Sequence, residues 1–192
     1  MEDIILIGGG GHCRSVIDVI ESENKFLIRG IVDQKEFINR KILDYPFIGT
    51  SDDLSAIFRD FKNAFITVGQ IRDPMPRVNI FNQLKEIGYF LPTIISPRAY
   101  ISKSSNIAEG SIIMHDALIN SSVSIGRNCI INTKTLIEHD SIVEDFCHIS
   151  TGAIINGGVT VGEKTFFGSG AISREGASIP SGSFIKLNSN FI

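Results

Sequence analysis

His139 and Asp140 are neighbours, and an imidazole beside a carboxylate is equipped for general-base chemistry. The unperturbed imidazole titrates close to neutral pH. The carboxylate can set its tautomer and stabilise the imidazolium once a proton has been taken. Polar side chains gather around this pair, at Asn120, Asn132, Glu138, Glu144, Asp145, His148 and Asn156. Three of the four histidines, His115, His139 and His148, lie in the same stretch. The plainer alternative is a solvated His-Asp pair on the edge of a scaffold. What separates the two readings is the set of elements that must hold the pair in place.

Those elements follow from a period of six. From Ile95 every sixth residue to Ile179 is large and apolar, with Ser173 the one exception. Two residues before each stands a small or modest one, such as Ala99, Ser105, Ser111, Cys129, Thr135 or Ala153. Neither a helical period nor strand alternation gives this pattern. It is the pattern of a hexapeptide-repeat parallel β-helix, in which each hexad is one short strand and one turn. Three hexads close a coil, so residue n lies under residue n+18, and coils stack at strand spacing, roughly 4.8 Å. One coil cannot bury its apolar side alone, so the stack must be continuous.

Counting by 18 places Gly157 over His139 and Gly158 over Asp140. A wall without side chains lets a ligand approach the backbone, where an N–H could meet a developing oxyanion. His148 is nine residues on, half a coil away, and cannot reach His139 within one chain. A three-fold assembly would bring such different sides of neighbouring coils together, which places the expected active site between subunits of a homotrimer. Cys129 and Cys147 are 18 apart at the small-residue position and read as stacked, buried, apolar side chains.

The residues before the repeats form a second region. Ile4–Ile7 is a continuously apolar strand, Gly8-Gly9-Gly10-Gly11-His12 a glycine loop, 14–23 a helix with Val16, Val19 and Ile20 on one side, and 26–32 a second strand ending at Asp33. This βαβ unit has the layout of a Rossmann fingerprint, with a phosphate expected at the helix N-terminus. Cys13 stands where the third glycine belongs, which weakens the case for NAD. Residues 51–61 read as a helix capped by Thr50 or Ser51, 64–68 as a third strand followed by Gly69, and 76–88 as an amphipathic helix. A complete dinucleotide domain would need a second half that the repeats do not supply, which argues against a dehydrogenase. The expected domains are 1–92, small and α/β, and 93–192, the β-helix.

Composition narrows the partners. The chain has 192 residues and a net charge of −3, with no basic surplus for nucleic acid. No run approaches the length of a membrane span. Met1-Glu2-Asp3 leads straight into a strand, unlike a signal peptide, so a cytoplasmic location is expected. No cysteine pair has zinc-site spacing.

With these residues in view, the chain resembles the bacterial sugar acyltransferases that join a nucleotide-binding βαβ domain to a left-handed β-helix. They include N-acetyltransferases of UDP-4-amino sugars, perosamine N-acetyltransferases and sialic-acid O-acetyltransferases. The segments that carry the resemblance are Ile7 to His12, Gly30-Ile-Val-Asp33, Val68-Gly69, and 132–140 through 148–153. The resemblance implies the left-handed sense and acetyl-CoA as co-substrate with no metal. His139 would be the general base, oriented by Asp140 where relatives commonly carry Glu. His148 would lie near the thioester of acetyl-CoA in a neighbouring subunit, and the N–H of Gly157 would meet the thioester oxygen. Gly8, Gly10, Gly11, His12, Asp33 and Gly69 would hold the sugar nucleotide. The amine would attack the thioester directly, with no acyl-enzyme. Relatives end in a Gly-x-Pro-Ala-Lys-like segment, whereas this chain reads Lys186-Leu-Asn-Ser-Asn-Phe-Ile192, and Ser173 breaks the apolar column where the CoA site is expected to end.

Three other functions fit parts of this pattern. One is O-acetylation of a sialic-acid-like sugar on the same fold. Another is a zinc hydratase of the γ-carbonic-anhydrase type, which needs three converging histidines that His115, His139 and His148 do not supply by stacking. The third is a non-catalytic β-helix scaffold.

Overall fold

The computed structural model describes residues 1–37 and 40–191. The chain forms two compact units, Met1–Gly69 with Met75–Pro92, and Gln70–Pro74 with Thr93–Ile192. Among the described residues, no helix is long and apolar enough to cross a membrane.

The first unit is α/β. In chain order it has β1 (Glu2–Ile7), α1 (Gly11–Glu23), β2 (Phe26–Val32), β3 (Lys41–Ile42), β4 (Tyr45–Gly49), α2 (Leu54–Ile57), β5 (Asn63–Ile66) and α3 (Met75–Ile87). The sheet order is β3-β4-β2-β1-β5. β1 runs parallel to β2 and β5, β2 runs parallel to β4, and only β3 is antiparallel. β1 is central, and its Ile4, Ile5 and Leu6 are fully buried, as a continuously apolar strand flanked on both sides requires.

Three boundaries differ from the sequence reading. α1 begins at Gly11 rather than at residue 14, because the glycine loop itself supplies the first helical turn. The helix expected over 51–61 is a 3-10 turn, Ser51–Asp53, followed by the single turn of α2. The Asp53 carboxylate accepts both the N–H and the hydroxyl of Thr50, which fixes the start of this segment. The pair β3–β4 was not legible: Pro46 and the charged residues beside it hide a short edge ribbon from any alternation count.

Gly8 has φ +107°, and a Cβ there would lie 2.5 Å from Val68 Cγ2. Glycine is needed at this crossing of β1 into the loop on both grounds.

The second unit is a parallel β-helix. Its strands run from β6 (Ile94–Ile95) to β22 (Asn190–Phe191), each two residues long, in three parallel sheets. Every strand pairs with the strand three further on, so Ile112, Ile130 and His148 stack at the 18-residue step read from the sequence. The second residue of each strand points inward, and the column from Ile113 through Ile131, Ile149 and Phe167 is fully buried.

The small residue does more than fit a bend. Where it carries a hydroxyl or thiol, it donates to the turn carbonyl 15 residues on. Ser105 reaches Asn120 at 2.6 Å, Ser111 reaches Gly126 at 2.7 Å and Ser141 reaches Asn156 at 2.9 Å. Cys129 and Cys147 make the same bond at 3.1 Å, so they act as donors and not only as apolar filler. Both are buried free thiols, and the contact with Cys129, together with burial, pushes the Cys147 thiol far up.

The second turn residue is left-handed in coil after coil: Asp116, Ser122, Asn128, Lys134, Asp140 and Phe146, then several glycines. Asp, Asn and Gly tolerate this region best. Truncating an inward residue removes contacts on several coils at once. Ile131→Ala is expected to cost about 2–5 kcal/mol, measured as a fall in the urea unfolding midpoint. A loss below about 1 kcal/mol would contradict continuous packing of this column.

Candidate active site

His139 and Asp140 form the turn after Leu136–Ile137, with Asp140 in the left-handed position at φ +59°. That backbone folds the short Asp140 side chain back onto its neighbour. His139 Nδ1 lies 2.8 Å from Asp140 Oδ2. With a carboxylate as acceptor, Nδ1 carries the proton, and Nε2 is left with the free lone pair. The side chains are 56% and 66% exposed, so the pair is open to an incoming ligand. The hydrogen bond that Nδ1–H donates to Asp140 holds the His139 pKa above the ordinary imidazole value, against the opposing effect of desolvation. The charges of Asp140, Glu138 and Glu175 add to the rise.

One coil on, a Cβ built on Gly157 would lie 2.8 Å from both Nε2 and Cε1 of His139. Any side chain at 157 would push the ring away, so the bare backbone there is a geometric requirement. The two glycines of this pair are not equivalent. The N–H of Gly158 donates to the His139 carbonyl at 2.9 Å as part of the stack. The N–H of Gly157 makes no hydrogen bond among the described residues. The structure therefore puts a free lone pair, an unengaged N–H and open space side by side. This constellation suits proton abstraction next to a carbonyl that becomes an oxyanion.

His148 does not join this group. It opens the strand His148–Ile149 on a different sheet from Leu136–Ile137 and is 7% exposed. Its Nδ1–H donates to the carbonyl of Gln70, its Nε2 faces Asn132 Nδ2 at 3.1 Å, and its ring edge meets Phe166 at 5.2 Å. Gln70 also donates from Nε2 to the Phe146 carbonyl, at 2.8 Å. The sequence offered no sign that Gln70 would fix this imidazole, because the two positions are 78 residues apart. His115 Nδ1 lies 2.6 Å from Ser96 Oγ. Among the described residues, no three His, Cys, Asp or Glu side chains gather as a metal site.

In the first unit, a cavity of about 680 Å³ is lined by Gly8, Asp33, Thr50, Asn79 and Gln83, among others. Of the expected nucleotide-binding residues, Gly8 and Asp33 line it, whereas Gly10, Gly11, His12 and Gly69 do not. A Cβ on Gly10 or Gly11 would meet nothing within 4 Å, and one on Gly69 would sit 3.6 Å from His12 Cβ. Asp33 Oδ2 accepts the Gly9 N–H at 2.5 Å, and Oδ1 accepts that of Gln34 at 2.7 Å, so this carboxylate ties the glycine loop to the end of β2. Cys13 is buried, and that burial pushes its thiol up to about 11, which makes it a poor nucleophile. Asn79 and Gln83 were missed as lining residues. Their signal was the polar side of the amphipathic helix α3.

Ser173, the polar break in the apolar column, is buried. It stands one coil on from Ile155 and is bonded to Asn156, the residue before Gly157. The polar break therefore lies against the residue that precedes Gly157.

Comparison with known proteins bears on this geometry. Residues 3–84 match the family model of the PglD N-terminal domain. No curated protein matches in sequence. The acetyltransferase domain of PglB from Neisseria gonorrhoeae, solved with acetyl coenzyme A, is 26% identical at a TM-score of 0.90, over 99% of this chain and 92% of that one. PerB from Caulobacter crescentus, solved with CoA and GDP-perosamine, is 27% identical at a TM-score of 0.92, over 100% of this chain and 89% of that one. WeeI from Acinetobacter baumannii, at 19% identity and a TM-score of 0.77, shares the fold over 99% of this chain and 96% of its own.

The hydrogen bond between His139 and Asp140 can be tested directly. In an NMR titration, the His139 ring is expected to titrate above the ordinary imidazole value in the native protein. In Asp140→Asn it should titrate at lower pH, since the carboxylate that favours the imidazolium is gone. An unchanged titration would show that the contact is not made in solution.

Proposed function

We propose that the chain is a bacterial sugar acyltransferase that transfers the acetyl group of acetyl-CoA to the amino group of a nucleotide-linked amino sugar. The observation that carries this reading is the lone pair of His139 Nε2 beside the bare Gly157 backbone. The neighbours that bind acetyl coenzyme A, CoA and GDP-perosamine supply the substrate classes.

In the proposed reaction, the neutral amine attacks the thioester carbonyl carbon directly. His139 Nε2 takes a proton from the attacking nitrogen, and Asp140 steadies the imidazolium. The Gly157 N–H meets the oxygen as it gains charge. Collapse breaks the carbon–sulfur bond, and the departing thiolate recovers the proton. The products are the N-acetyl sugar and free CoA thiol. Asp140 is one methylene shorter than Glu, and its left-handed turn position brings it within 2.8 Å all the same.

The nucleotide is proposed to occupy the cavity of the first unit, against Gly8 and Asp33 in a Rossmann-like βαβ arrangement, with Gly10, Gly11, His12 and Gly69 around the loop. The β-helix is proposed to be left-handed and to act as a homotrimer in the cytoplasm. Support for self-association comes from the outward residues of one sheet: Tyr100, Leu118, Leu136, Ile154 and Ile172 form an apolar stripe beside the His139 turn. A second copy seated there would carry its His148 toward a shared acetyl-CoA.

Release of CoA thiol should be measured with UDP-, GDP- and CMP-linked amino sugars and with a free nonulosonic acid. Turnover of at least one amine is expected, and His139→Ala should lower kcat by about 10²–10⁴-fold. Turnover of the nonulosonic acid alone would replace this reading with O-acetylation. Undiminished turnover by His139→Ala would remove the base from His139.

A further inference from the structure

The backbone ladder of the β-helix has one irregular rung. The amide of each residue that follows a strand donates to the carbonyl 17 residues on, from Ser96 to Ile113, Ser102 to Ile119 and so on to Arg174 with Phe191. Asn156 is the exception among the described residues. Its N–H donates instead to the Ser173 hydroxyl at 2.9 Å, and its side-chain Nδ2 takes the Ser173 carbonyl at 2.6 Å. Here the pairing of the two strands is confined to Ile154 with Ile172, and the Ile155–Ser173 partner is missing.

The consequence falls on the next residue. Asn120 and Asn132 occupy the same hexad position as Asn156 with regular rungs, and each turns its Oδ1 onto the following amide. Ser121 N–H is capped at 2.7 Å and Thr133 N–H at 2.8 Å. The first turn amide is unpaired by the stack itself, so an Asn before it caps it by default. Asn156 alone of the three has its side chain drawn away, and the amide left uncapped is that of Gly157, over the His139 ring.

We propose that Ser173 is a positioning residue, which keeps the Gly157 N–H free for the acyl oxygen by holding the Asn156 side-chain amide on its own carbonyl, away from the amide it would otherwise cap. This rests on the acetyl-transfer reading of the His139 site and adds to it a reason for the one polar residue in the apolar column. A leucine or isoleucine at 173 would fill the core better but would offer no hydroxyl to the Asn156 N–H. The regular rung would then re-form, and the Asn156 side chain would be released onto Gly157.

The test is a cycle of variants measured with acetyl-CoA and an amino-sugar nucleotide that the wild type turns over. Ser173→Ala removes the hydroxyl without crowding the core, and Ser173→Val repeats the change with the apolar column restored. Both are expected to lower kcat by about tenfold or more, with KM for acetyl-CoA and the pH profile little altered, because an oxyanion donor is worth about 10²–10³ and a capped one must first be freed. Asn156→Ala should keep kcat within a few fold, and Ser173→Ala with Asn156→Ala should recover to that level because no side chain remains to cap the amide. Exchange of the Gly157 amide, followed without substrate, should slow in Ser173→Ala and not in the double variant. Wild-type kcat in Ser173→Ala, or a double variant as slow as Ser173→Ala, would overturn the proposal. If instead His139→Ala retains full turnover, the acetyl-transfer reading of the site fails. The amide exchange still decides, independently of turnover, whether Ser173 keeps Gly157 uncapped.

Discussion

The hydrogen bond from one amide to the carbonyl 17 residues ahead is the interaction on which the larger unit depends. It locks each two-residue strand onto the next coil, and so fixes which side chains sit above one another. Because the strands are so short, little pairing survives within a single coil, and stability has to come from repetition along the stack. The inward column then buries its apolar residues without a break in register. The small residue, by donating to the turn carbonyl, satisfies one polar group that would otherwise be left exposed to the core.

A candidate site inside such a regular lattice arises where the lattice leaves a gap. The stack uses the second turn amide and leaves the first to chance partners. Over His139 the residue at that first position is glycine, so neither a side chain nor a cap stands between the imidazole and a ligand. Asp140 serves both demands at once: it tolerates the left-handed turn, and its carboxylate is short enough to reach back to Nδ1. The hydrogen bond it accepts from His139 is also the main cause of the raised imidazole pKa.

The smaller unit works by a different principle. Its glycine loop has to cross close to a neighbouring strand, so Gly8 is required by contact with Val68 and by its positive φ. Asp33 is engaged through both oxygens with backbone amides. It shapes the loop that borders the cavity, a structural task that the fingerprint spacing alone does not distinguish from ligand binding.

How much of this was legible in the sequence depends on the range of the interactions. The six-residue period, the 18-residue stacking, the placing of Gly157 over His139 and the pairing of His139 with Asp140 all follow from local spacing, because a β-helix turns sequence distance into spatial neighbourhood. The strands and helices of the α/β unit were legible where apolar runs were long, as in β1 and β2, and not in the short edge ribbon β3–β4 or the single turn of α2. Tertiary structure alone decided the rest. It joined Gln70 to His148, it gave Thr50, Asn79 and Gln83 to a cavity with Gly8, and it turned the Asn156 side chain toward Ser173. These are matters of side-chain direction and of contacts between distant segments, and a residue's identity and position do not say which of several available partners its polar atoms will take.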